Sequence, residues 1–129
     1  MIDYQKIFQH LPYLEDAASN GLTQTIGIPS NQLVNFVEDC YASGIIQPEA
    51  RKLLVGNSII NPNTIKEQVP SLSYEILVAL LTILVMDDER IDGLLESNIS
   101  NGVVYEIVKT IEAIVLKEMK IPSKNKYSS

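Results

Sequence analysis

Five acids crowd one short stretch of this chain: Asp87, Asp88, Glu89, Asp92 and Glu96. Asp88, Asp92 and Glu96 recur every four residues, so on a helix they share one face. Carboxylates in that arrangement could hold a cation, bind a small ligand or work as an acid–base pair. A calcium loop begun at Asp88 matches at Asp92 and Gly93. It then fails, because Arg90 stands where an acid or amide is needed and Ile99 where the bidentate glutamate belongs. The same acids also have a structural use. Asp87 can cap a helix, and acids in a first turn offset the positive end of the helix dipole. That structural role is the expectation, with a ligand-binding enzyme using Asp88, Asp92 and Glu96 as the alternative.

The chain has one histidine, His10, and one cysteine, Cys40. A thiol beside an imidazole is a possible nucleophile–base pair. However, Cys40 falls on the apolar side of its helix, where a thiol packs as a small inert hydrophobe. His10 sits near a helix end, where the dipole favours it. One Cys and one His cannot complete a four-ligand zinc site, and a lone Cys cannot form an internal disulfide. No glycine-rich phosphate loop, Gly-x-Ser-x-Gly elbow or His-Glu-x-x-His pair occurs. The sequence therefore predicts no catalytic residue, no metal and no cofactor.

One further motif, Leu11-Pro12-Tyr13-Leu14-Glu15-Asp16, combines a proline stop, an aromatic ring and two acids. As structure it is a corner where the first helix folds back. As function it is a candidate partner-binding rim, made of Pro12, Tyr13, Glu15 and Asp16 together with the acids Glu38 and Asp39.

The elements that would position these residues read almost entirely as helix. Tyr4, Ile7, Phe8 and Leu11 follow helical spacing behind Asp3 as cap, and Pro12 is expected to stop that helix, with one more turn over 13–18. The stretch 21–29 is rich in β-branched residues and reads as a loop, or as a short strand over 22–28. Ser30 caps the next helix, with Leu33, Val34, Phe36, Val37, Cys40 and Tyr41 on its apolar side and Gly44 as its stop. A short helix follows over 48–56, although 53–60 also spells a hairpin. Another short helix is expected to about residue 68. The run 74–86 is apolar nearly all round and should be the buried centre, with Leu77, Leu80, Leu81 and Leu84 in its middle. Its longest apolar run, Ile76 to Met86, is eleven residues, too few to span a membrane, which takes about 20. Asp87, Asp88 and Glu89 then open a helix closing at Asn101-Gly102. The last helix begins at Val103, with Val104, Ile107, Val108, Ile111, Ile114, Val115 and Met119 on the 3.6-residue period.

At 129 residues, 46% apolar and 20% charged, this is one globular domain with a real core. Residues 1–116 form it, and 117–129 are the end of the last helix and a basic flexible tail. The body carries six Lys or Arg against fifteen Asp or Glu, and the tail four Lys against one Glu. An acidic body repels phosphate backbones, so nucleic acid is not an expected partner. No basic-then-apolar leader is present at the N-terminus, which predicts a cytoplasmic protein.

Taken together, Leu11-Pro12-Tyr13-Leu14-Glu15-Asp16, Phe36-Val37-Glu38-Asp39-Cys40-Tyr41-Ala42-Ser43-Gly44, Leu80-Leu81-Thr82-Ile83-Leu84-Val85, Asp92-Gly93-Leu94-Leu95 and Asn101-Gly102-Val103-Val104 resemble a family of small bacterial proteins classed only as a domain of unknown function. The order and spacing carry the resemblance over roughly 7–114. It implies an all-helical cytoplasmic domain and no particular activity. Members of that family carry a Cys and a His around the Asp92-Gly93 stretch. Here those positions are Ile91 and Leu94, so a thiol–imidazole site would be missing. The expected fold is all-α, a bundle of about five to seven helices around a buried central one, with at most one short strand pair. The expected function is a non-enzymatic helical domain that binds another protein or a second copy of itself. An acidic inhibitor or immunity-type partner of a basic protein is a further alternative.

Overall fold

The computed structural model describes residues 2–20, 31–50, 52, 65–87 and 93–126. The sequence alternatives at 22–28 and 53–60, and the acids 88–92, lie outside them. Among the described residues the protein is all-α. Its elements are α1 (Gln5–Phe8), α2 (Leu11–Asn20), α3 (Asn31–Ser43), a 3-10 turn at Pro48–Ala50, α4 (Ile65–Gln68), a 3-10 turn at Val69–Ser71, α5 (Tyr74–Asp87), α6 (Leu94–Ser100) and α7 (Val103–Lys126).

Helix α5 is the buried centre that its composition predicts. Ile76, Leu77, Val78, Ala79, Leu80, Leu81, Thr82 and Val85 are all buried. Ser73 starts the helix, because its hydroxyl accepts from the Ile76 N–H at 3.4 Å and its carbonyl from the Leu77 N–H at 3.0 Å. Leu84 departs from expectation and is only half-buried. Toward its end α5 keeps just the Val78, Thr82, Val85 side inward, and Leu84 lies on the flank.

Helix α7 packs against α1, α2, α4, α5, α6 and the Val69–Ser71 turn. Val103, Val104, Ile107, Val108, Ile111 and Val115 bury the stripe that those elements share. Several of these are β-branched and favour strands by intrinsic propensity, which burial on so many sides overrides. Among the described residues no helix is long and apolar enough to cross a membrane.

Four local readings need correction. Pro12 does not stop a helix. It lies in the first turn of α2, where its missing N–H has no intrahelical partner to lose. The break comes earlier, at Gln9 and His10, and Leu14 N–H donates to the His10 carbonyl at 3.0 Å to begin α2. Asp3 caps nothing with its side chain, because Tyr4 occupies the cap position with helical dihedrals. Asp87 does not open a helix but is the last residue of α5, and α6 starts at Leu94 behind a left-handed Gly93. On α3 the buried stripe is narrower than the sequence suggests. Leu33, Phe36, Cys40 and Ser43 face inward, while Val34 and Tyr41 are exposed.

Gly102 closes α6 with φ +90°, and a Cβ there would lie 2.8 Å from Lys66 Nζ. Beside it, Asn101 Oδ1 accepts the Val103 N–H at 2.9 Å and caps α7. Gly102→Ala should therefore cost about 1–2 kcal/mol, from the left-handed backbone alone. Leu81→Ala, at 0% exposure, should cost about 2–5 kcal/mol as a cavity. Urea unfolding of both variants measures these losses. A change below about 1 kcal/mol for Leu81→Ala would place α5 outside the core.

Candidate functional site

Helix α1 is four residues long, too short to persist alone, so its position has to be imposed by its neighbours. Ile7 is fully buried beneath it. Asp3 N–H donates to the Ser43 carbonyl at 2.9 Å, which ties the approach to α1 to the end of α3. Just past α1, His10 Nε2 meets Asp39 Oδ2 at 2.8 Å, and Gln9 Nε2 donates to the same oxygen at 3.0 Å. The His10 ring also stands edge-on to Phe36, with centroids 5.4 Å apart. An ionised carboxylate only accepts, so His10 Nε2 carries the proton in this bond. The hydrogen bond from His10 is the main reason that the Asp39 carboxyl is held below its ordinary range. The His10 and Lys6 charges and the Gln9 amide act in the same direction, against a partial loss of water.

Asp39, read from the sequence as an exposed acid, is thus the partner of His10 and only 26% exposed. Glu38 beside it is exposed. The thiol of Cys40 is fully buried, and burial pushes it up to about 12, so it stays protonated and unreactive at neutral pH. Of the 12–16 motif, Pro12, Glu15 and Asp16 are exposed. Tyr13 is half-buried and packs against the core. The motif belongs to α2, which packs on α6 and α7. Of the acid cluster, Asp88 and Asp92 lie outside the described residues, and Glu96 is half-buried in the first turn of α6. Among the described residues no three His, Cys, Asp or Glu side chains come together as a metal site.

The feature absent from the sequence reading is a groove between α1 and α7. It has a volume of about 480 Å³ and is lined by Ile2, Asp3, Tyr4, Gln5, Phe8, Val115 and Leu116. A second cleft of about 240 Å³ continues it past Tyr4 to Tyr74, Glu75, Ile114 and Glu118. The rings of Tyr4 and Phe8 stack with centroids 5.7 Å apart and form one wall. The hydroxyls of Tyr4 and Tyr74 hydrogen-bond to each other across the join. Burial pushes the Tyr74 phenol well above the ordinary tyrosine range, and its bond to Tyr4 and the charges of Glu75 and Glu118 add to the shift. The phenol therefore stays neutral. Leu116 is 45% exposed, and the acids Asp3, Glu75 and Glu118 at the rim are exposed. The sequence signal was the pair Tyr4 and Phe8, four residues apart, which reads as a core stripe but is only half-buried.

No family model matches this sequence, and no curated protein or solved structure is significantly similar to it.

The Asp39 bond sets a pH dependence. Its folded pKa lies below the unfolded value of 3.8, so the bond's stabilisation is present above that value and is lost as pH falls through the lower, folded one. Asp39→Asn should therefore be less stable than the parent above about pH 5, with the gap narrowing below about pH 4. Urea titrations across that range measure it, and a gap independent of pH would contradict the pairing.

Proposed function

We propose that this chain is a helical protein-interaction domain that works by binding, and that the α1–α7 groove is its docking site. The observation that carries the reading is the composition of the groove. Its walls are apolar, from Tyr4, Phe8, Val115 and the exposed Leu116, and its rim is acidic, from Asp3, Glu75 and Glu118. An amphipathic helix with an apolar face and basic flanks is the complementary ligand. Such helices lie in grooves by placing anchors one turn apart, and opposite charge fixes their direction and speeds encounter. The buried, protonated Cys40 suits a reducing, cytoplasmic setting, which is part of this proposal.

The experiment uses a short synthetic helix with leucines on one face and lysines flanking them, together with an analogue carrying glutamates in place of the lysines. Fluorescence anisotropy should show binding of the basic helix and not of the acidic one. Affinity should fall as salt rises, because exposed charges are screened within about 8 Å at physiological ionic strength. Leu116→Asp places a charge on an exposed position of the groove wall and should weaken binding about tenfold or more without unfolding the domain. Equal binding of both peptides, or of the basic peptide to parent and variant alike, would overturn the reading.

A further inference from the structure

We propose that the helix taken by this groove is supplied by a second copy of the chain, from its own basic segment at 117–126. The inference rests on the groove reading above and names its partner.

Three observations converge. First, α7 continues well past Val115. It spans Val103–Lys126, and Val115 is the last buried residue among those whose side chains are described. Leu116, Lys117 and Glu118 are exposed. About 16 Å of helix follows Val115 at the usual rise per residue. In the sequence, Met119 continues the helical period of Val108, Ile111 and Val115. Second, the charges are complementary within one chain. Residues 117–129 hold Lys117, Lys120, Lys124 and Lys126 against Glu118 alone, whereas the rim outside that segment presents Asp3 and Glu75. Third, the start of the segment is itself a wall of the groove, through Val115 and Leu116. Two copies related by a two-fold axis near Leu116 would each lay the end of α7 across the other's groove. The contact is then self-complementary and closes at two, as the commonest soluble oligomers do.

Sedimentation velocity on the full chain tests this, from low to high micromolar concentration and at low and physiological salt. A dimer that weakens as salt rises is expected. Lys120→Glu with Lys124→Glu reverses the charge of the segment, and Asp3→Lys with Glu75→Lys, both at exposed positions, reverses the rim. Each double variant alone should raise the dimer dissociation constant about tenfold or more. Mixed in equal amounts, the two should form a heterodimer, because both of its contacts again pair opposite charges. Circular dichroism checks that each variant keeps its helix content. A parent chain that is monomeric throughout, or a dimer that neither double variant weakens, would overturn the proposal. If the parent is monomeric yet still binds the synthetic basic helix through Leu116, the groove reading stands and only self-recognition falls. If neither dimer nor peptide binding is found, both fall.

Discussion

The buried stripe of α7 is the surface on which the rest of the molecule depends. Val104, Ile107, Val108 and Ile111 are fully buried, and they contact elements from both ends of the chain. An apolar stripe on a helix has to be covered, and here many short pieces cover it together. Two of those pieces, α1 and α4, are only four residues long. Neither could hold its shape in isolation. Helix α4 is held by packing on α7 and the Val69–Ser71 turn, and α1 by packing on both α3 and α7; α1 in turn supplies one wall of the groove. The docking surface therefore inherits its rigidity from the core.

The links around α3 show how polar groups complete what apolar packing begins. Ser43 is buried, and its hydroxyl donates to the Cys40 carbonyl at 2.8 Å while accepting the Ile45 N–H at 3.2 Å. Gly44 turns the chain with φ +90° so that Ile45 can be buried below the helix end. Two residues later, Gln47 N–H donates to Thr82 Oγ1 at 3.1 Å. Thr82 is fully buried within the apolar face of α5, and this bond gives its hydroxyl a partner.

The elements most legible in the sequence are those fixed by local chemistry. The extent of α5, the Gly44 stop and the Asn101-Gly102 junction all follow from residue types within a turn of the boundary. What escapes local reading depends on residues far apart in the chain. His10 and Asp39 are separated by 29 positions, and nothing near either one announces the other. Pro12 misled because a proline that ends one helix and a proline that opens the next look alike until the preceding break is located. The groove was hidden for a similar reason. Tyr4 and Phe8 carry core-like spacing, and only the place where α7 crosses them decides that they are left half-covered. Leu84 follows the same logic, with a core-type residue on a flank that no neighbour reaches fully.

Cys40 gives the molecule an internal clock for its own opening. It is the single thiol in the chain, it has no exposure to solvent, and it stays protonated far above neutral pH. An alkylating reagent needs the thiolate in the open, so labelling can proceed only through states in which α3 has come away from the body. Because α3 is also anchored by His10 and by the Asp3–Ser43 bond, those openings report on the same joint that fixes α1. The rate at which reagent is consumed becomes a direct readout of how often the groove wall loses its support.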